Sequence, residues 1–244
     1  MNAALAAAAT LVALAFALST LDRWLRRRRP HDLAWSVSLL LFALGAGALW
    51  WAQARGWSLA SFRVFYLAGA VLNVPWLALG TVYLLAGSRI GRRTQGVLVW
   101  LSGAATGVVL IAPTRTAVAG QDLPTGKLVF GVAPRVFAAV GSGVAAVVII
   151  VGALWSVGRL LRGRQPSLAS STRAITAPRR LAGANLLIAV GTLVLSASGT
   201  LAGRFGEEDA FSITLLVGVA VLFVGFLVAS APSRQATSPA SSQQ

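Results

Sequence analysis

The chain has 244 residues, of which 57% are hydrophobic and 11% charged, with a formal net charge of +15 and no cysteine. That composition leaves too little polar surface for a separate soluble domain of ordinary size, and without cysteine it excludes disulfides and thiolate chemistry. Seven apolar stretches fill almost the whole chain, each long enough for the roughly 20-residue helix that crosses a hydrocarbon core of about 30 Å.

Only helices and closed barrels satisfy backbone polar groups in lipid. These runs are continuous and rich in Ala, Leu and Val, whereas barrel strands alternate. The expected fold is therefore all-α, a polytopic transmembrane bundle of seven helices. The first span is placed at 3–21, and Arg23, Arg26, Arg27, Arg28 and Arg29 follow it. A cleaved signal peptide carries its basic residues before its apolar run, so this order predicts a retained helix with an exported N-terminus. The second span, 33–53, contains Gly45 and Gly47.

The third, 63–86, begins at Arg63 and carries Asn73, Pro75 and Trp76 near the midplane. Proline frees a carbonyl one turn back and kinks a helix, which leaves Asn73 either to bond a neighbouring helix or to face a cavity. A connection with Arg89, Arg92 and Arg93 leads to the fourth span, 96–113, with Gly103 and Gly107 four apart. The fifth, 135–155, follows Pro134 and opens at Arg135. A connection bearing Arg159, Arg162, Arg164, Arg173, Arg179 and Arg180 precedes the sixth, 181–202, where Asn185 lies near the start and Thr192 at the depth of Asn73. The seventh is 211–230. The tail Ala231–Gln244, rich in Ser, Ala, Pro and Gln, is expected to be disordered.

Arginine alternates between sides, dense in the first, third and fifth connections and sparse in the others. Excess Lys/Arg in short connections marks the cytoplasm, which places the N-terminus outside and the C-terminus in the cytoplasm. Such basicity in a soluble protein would point to nucleic acid. Its alternation here assigns it to topology and to anionic lipid headgroups, with no nucleic-acid partner. Trp and Tyr collect at membrane interfaces: Trp24, Trp35, Tyr83, Trp100 and Trp155 fall at the inner boundary, Trp50, Trp51, Trp57 and Tyr66 at the outer, and Trp76 alone sits mid-span. The use of Arg over Lys, with abundant Ala, Gly and Val, implies a high-GC bacterial genome and a plasma membrane.

Chemistry is constrained by what is missing. Ser196-Ala197-Ser198-Gly199 resembles the nucleophile string of rhomboid-type proteases, but a serine needs a base. The single histidine, His31, lies at the other end of the bundle, and the single lysine, Lys127, lies in an outer loop. The last span has no lysine for a retinal Schiff base, and no span carries a carboxylate for an ion relay, although backbone carbonyls can still bind an ion. No metal cluster and no cofactor is expected, and no enzymatic activity. The ligand candidates are Arg63 and Arg135 at outer helix N-termini, where the dipole favours anions, near Arg204 and Glu207-Glu208-Asp209, together with Asn73, Trp76 and Thr192 at the midplane. The arginines from Arg159 to Arg180 form the candidate lipid or protein-partner surface. The glycine pairs Gly45 and Gly47, Gly103 and Gly107, Gly141 and Gly143, and Gly199 and Gly203, the second and last four apart, predict close helix packing inside the bundle.

The stretch Phe62-Arg63-Val64-Phe65-Tyr66-Leu67-Ala68-Gly69 through Asn73-Val74-Pro75-Trp76-Leu77-Ala78-Leu79-Gly80-Thr81-Val82-Tyr83-Leu84, with Ser198-Gly199-Thr200-Leu201-Ala202-Gly203-Arg204, resembles uncharacterised seven-helix membrane proteins of high-GC bacteria. That resemblance implies the same topology and supplies no activity. Pairs that recur across the two halves, Pro30 with Pro178, Leu33-Ala34 with Leu181-Ala182, Gly56 with Gly206 and Phe62 with Phe211, give a 3+1+3 plan that resembles SWEET-type sugar transporters. Two readings follow. The first is a non-enzymatic binding, sensing or scaffold protein acting through a partner or lipid. The alternative is a facilitator for a small uncharged or anionic solute, with a central cavity lined by Asn73, Trp76 and Thr192.

Overall fold

A computed structural model describes residues 2–120, 122–161, 183, 186–194 and 208–230. Its long elements are all helices: α1 (Asn2–Arg27), α2 (Pro30–Arg55), α3 (Leu59–Phe65), a π-helical segment (Tyr66–Leu72), α4 (Asn73–Ile111), the single turn α5 (Gly126–Val129), α6 (Val132–Leu161), α7 (residues 186–194) and α8 (Glu208–Ser230). Among the described residues four helical runs are long and apolar enough to cross a membrane, Ala3–Arg27, Pro30–Arg55, Leu59–Ile111 and Val132–Ser156, and a shorter apolar helix covers Ile213–Gly225.

The helix starts are local chemistry. Pro30 opens α2 at a position where its missing N–H costs nothing. Ser58 opens α3 through a capping box, its hydroxyl accepting from Ser61 N–H at 3.2 Å. Between α1 and α2, Arg28 adopts φ 51° and donates its N–H to Trp24 O at 2.7 Å. This left-handed cap position usually carries glycine; here the guanidinium folds back over the Trp24 ring at 4.8 Å.

The 59–111 run is one helix by hydrogen bonding but two by direction. At Gly87 the backbone turns to φ 81°, ψ 173°, a conformation open to glycine. Beyond it the chain runs back on itself: Arg63 Nη2 donates to Ala112 O at 2.9 Å, Trp76 Nε1 to Ser102 Oγ at 3.2 Å, and the Tyr83 hydroxyl to Gln95 Oε1. Partner numbers rise on one side as they fall on the other, which is an antiparallel hairpin. Spans expected at 63–86 and 96–113 are thus its two arms, but the connection expected at 87–95 is helical almost throughout. Gly91 makes the tight reversal possible, because a side chain there would collide with the Tyr83 ring.

Helix ends run past the expected boundaries elsewhere. α1 continues to Arg27 and α6 to Leu161, so Arg23, Arg26, Arg27 and Arg159 stand on helices, not in loops. α3 begins at Leu59, so Arg63 lies in its second turn and not at its free N-terminus. Ser58 supplies the start signal that moved it.

The contacts orient the elements end to end. Ala34 of α2 packs with Leu79 and Tyr83, and the Trp35 indole lies against Gly80. The α1–α2 turn with Arg26–Arg29 and the hairpin turn with Arg89, Arg92 and Arg93 therefore share one end of the bundle. At the opposite end Trp57 N–H bonds Gly120 O at 2.6 Å, and Arg115 N–H bonds Val129 O at 2.9 Å, which gathers Arg55, Arg63, Arg115, Lys127 and Arg135 around the 112–131 loop. We call these the basic end and the loop end. α8 points its C-terminus to the basic end, since Leu215 packs near Ala9 and Ala13 while Phe223 meets Phe16 edge-on at 4.8 Å.

The core near the basic end joins residues of α1, α2, α4, α6, α7 and α8, among them Phe16, Trp35, Leu77, Ile149, Ile188 and Leu222. The core near the loop end is aromatic: Trp57, Phe62, Phe65, Tyr66 and Phe130 lie with ring centroids 5.0–6.5 Å apart. Close approach uses glycine where the sequence predicts it, with Gly45 of α2 facing Gly69 of the π segment at 3.2 Å, measured from an added Cβ. Gly103 and Gly107 do not follow. Both are exposed and meet no neighbour among the described residues; the hairpin's second arm turns its inner face, Ala105 and Val109, to the core instead.

Candidate functional site

The densest polar arrangement inside the bundle is built around Pro75. Asn73 N–H bonds the carbonyl of Ala68, five residues back, which is π-helical register. Carried two residues further, that register pairs Pro75 with Ala70, but proline has no N–H to give. The Ser142 hydroxyl of α6 donates to Ala70 O at 2.6 Å and supplies the missing bond. Gly141 beside it lets α6 approach, since a Cβ there would lie 3.7 Å from Pro75 and from Val71 O. The break that proline predicts is therefore present, spread over seven widened residues and bridged by a neighbouring helix.

Asn73 is 8% exposed and turns toward α2, where the Ser38 hydroxyl lies 2.8 Å from its Oδ1 and 2.9 Å from its main-chain carbonyl. Thr192 of α7, 2% exposed, donates to Ile188 O at 2.8 Å within its own helix. Ser38, Asn73 and Thr192 line one cavity, closed by Phe42, Leu77 and Leu222, with a volume of about 10 Å³. That is room for a single water. Asn73 and Thr192 meet there as their depths predict; Trp76 does not. Its indole points the other way, to Ser102 across the hairpin, because Trp76 lies a turn past the π segment on the face that meets the second arm.

At the loop end, Arg63 is not an open anion ligand. Its Nη2 donates to Ala112 O, at the C-terminal cap of the second arm, where free carbonyls and the helix dipole both favour a cation. Its Nε is buried without a partner among the described residues. Arg135 is half-buried in the first turn of α6, and among the described residues no hydrogen bond joins it to Arg63. Arg204 and Glu207 lie outside the described residues, as do the side chains of Glu208 and Asp209.

At the basic end, Arg26–Arg29, Arg89, Arg92 and Arg93 are all exposed. Only Arg26 pairs, with Asp22 at 2.9 Å; the others form no ion pair among the described residues. Beneath them is an acid that a span-by-span reading places at the surface: Asp32, 5% exposed, its Oδ1 3.9 Å from both Arg23 Nε and His31 Nε2. The expectation that no span carries a carboxylate fails here, because α2 begins at Pro30 and so includes the buried Asp32. Asp32 occupies the first turn of α2, where the helix N-terminus and Arg23 compensate its charge. Of the expected surface arginines, Arg159 lies on α6, whereas Arg162, Arg164, Arg173, Arg179 and Arg180 lie outside the described residues, as do Asn185, Ser196-Ala197-Ser198-Gly199 and the 231–244 tail. Among the described residues no three His, Cys, Asp or Glu side chains group as metal ligands.

Sequence reasoning missed Ser38, Ser142 and Asp32. A serine inside an apolar span carries no mark of whether it bonds its own helix or another. The one usable signal was proline, which requires a donor from elsewhere for the carbonyl it strands. Comparison with family models, with curated proteins and with solved structures gave no match.

Proposed function

We propose that the chain is a seven-span bacterial plasma-membrane protein, N-terminus outside and C-terminus cytoplasmic, that acts without catalysis. Its basic end is the working surface and takes anionic lipid headgroups or a protein partner. The observation that carries this reading is that the interior polar groups are already used by the fold: Asn73 by Ser38, Trp76 by Ser102, Thr192 by Ile188, Arg63 by Ala112. A facilitator needs a path at this depth, and a gap with room for one water argues against it. The arginines of the basic end, by contrast, are exposed and largely unpaired. Each basic residue near an anionic leaflet contributes about 1 kcal/mol of attraction, so the cluster binds as a group. The segregation of arginine to one end supports the orientation, because positive connections stay cytoplasmic, and the seven apolar stretches with their resemblance to high-GC bacterial membrane proteins support the compartment.

Native mass spectrometry of protein released from anionic and zwitterionic nanodiscs tests this. The wild type should keep anionic lipid through delipidation. A variant with Arg27, Arg29, Arg89, Arg92 and Arg93 changed to Gln, combined with Arg→Gln changes across Arg159–Arg180, should lose it. Equal retention by both, with equal recovery of membrane partners in pulldown, would refute the assignment.

A further inference from the structure

We propose that the gap between Ser38, Asn73 and Thr192 is a site for one dehydrated monovalent cation, of sodium size, which pins the broken helix. Three oxygens converge at its wall: Ser38 Oγ lies 2.8 Å from Asn73 Oδ1 and 2.9 Å from Asn73 O. One hydroxyl proton cannot satisfy two acceptors, so an acceptor lone pair is left over. A fourth oxygen, Thr192 Oγ1, gives its proton to Ile188 O and so keeps its own lone pairs for the cavity it lines. These four oxygens keep acceptor capacity beyond the bonds they make within the fold, and all three residues are more than nine-tenths buried.

The chemistry of the set selects the ion. A divalent cation is ordinarily held with carboxylates, and no acidic residue lines the gap. Neutral hydroxyl, amide and backbone oxygens beside an interrupted helix are the surroundings in which membrane proteins hold Na⁺. The volume, about 10 Å³, has room for one water-sized particle and none for the ion's hydration shell. The site joins α2, the start of α4 and α7, so an ion there would tie three helices at the place where Pro75 removes a backbone bond. This inference concerns an internal site and is independent of the surface role proposed above.

The experiment is thermal unfolding of the full chain in nanodiscs, in NaCl, KCl and choline chloride at equal ionic strength. A ligand that binds only the folded state raises Tm in a saturable way. Sodium should raise Tm by a few degrees over choline with a saturating dose dependence, and potassium should raise it less. Thr192→Val removes one ligand oxygen with little change of shape, and Ser38→Ala removes another; both should retain helical circular dichroism and lose the sodium response. Identical Tm in all three salts, or a sodium response that survives in both variants, would overturn the proposal, the latter by placing the ion elsewhere and leaving the gap to water.

Discussion

The helix α2 and the second arm of the α4 hairpin have similarly apolar sequences and opposite positions. The most apolar stretch of α2 is 56% buried, against 11% for that of the 59–111 run. The arm beyond Gly87 leaves Trp100 and Ile111 exposed at 74% and 81%. Lipid is as apolar as leucine, so hydropathy reports which segments cross and says nothing of which lie in the middle. What distinguishes α2 is its small and polar residues: Ser36, Ser38 and Gly45 are buried and make contacts that lipid cannot replace. The same residue type on the outer arm, Gly103 or Gly107, meets no neighbour among the described residues.

The largest expected contrast follows from that difference. Gly80→Leu would drive a side chain into the Trp35 indole and should lower stability by about 3 kcal/mol, the upper part of the range for an overpacked core. Gly103→Leu, on the open arm, should change it by no more than about 0.5 kcal/mol. Thermal unfolding of the two variants side by side checks this; equal losses would mean the outer arm is packed after all.

Next comes the proline bridge. Ser142→Ala strands the Ala70 carbonyl and should cost about 1 kcal/mol, visible as a lower Tm and faster amide exchange in Tyr66–Leu72. Unchanged exchange there would show that the π segment holds without α6.

Arg63→Gln should give a smaller loss, about 0.3–1 kcal/mol for removing a cation from a helix C-terminus. Its distinguishing result is fraying near Ala112 with no loss of anion binding, whereas an anion ligand would show the reverse. The smallest stability effect, within about 0.5 kcal/mol, is expected for Arg→Gln at Arg89, Arg92 and Arg93, which are exposed and form no ion pair among the described residues. These changes should act on lipid retention alone.

Legibility in the sequence divides along the same line. Long apolar runs, arginine at the first and third connections and the disturbance at Pro75 are local signals, and each has a counterpart in the described helices. The reversal between the third and fourth spans was expected, but not its sharpness: a single non-helical residue, Gly87, makes the turn where a nine-residue connection was expected. Arg63 was misplaced because Ser58 and Ser61 cap the helix a turn earlier. Asn73 and Thr192 share a depth that can be counted along their spans; that Trp76 faces the other way depends on the widened turns before it, which shift its face around the helix. Asp32 follows an arginine run and reads as a surface residue until Arg23 and His31 are seen to close over it.

The proposed surface role requires that no solute-sized path cross the bundle and that the basic end be the face open to partners. A chain without cysteine permits a direct test with a membrane-impermeant thiol reagent on single-cysteine variants in sealed vesicles of known orientation. Thr192→Cys should stay unlabelled from both sides in the folded protein, while Arg89→Cys labels readily from one side only. Labelling of Thr192→Cys at a rate near that of Arg89→Cys would reveal an aqueous path through the bundle and favour a facilitator over a surface role.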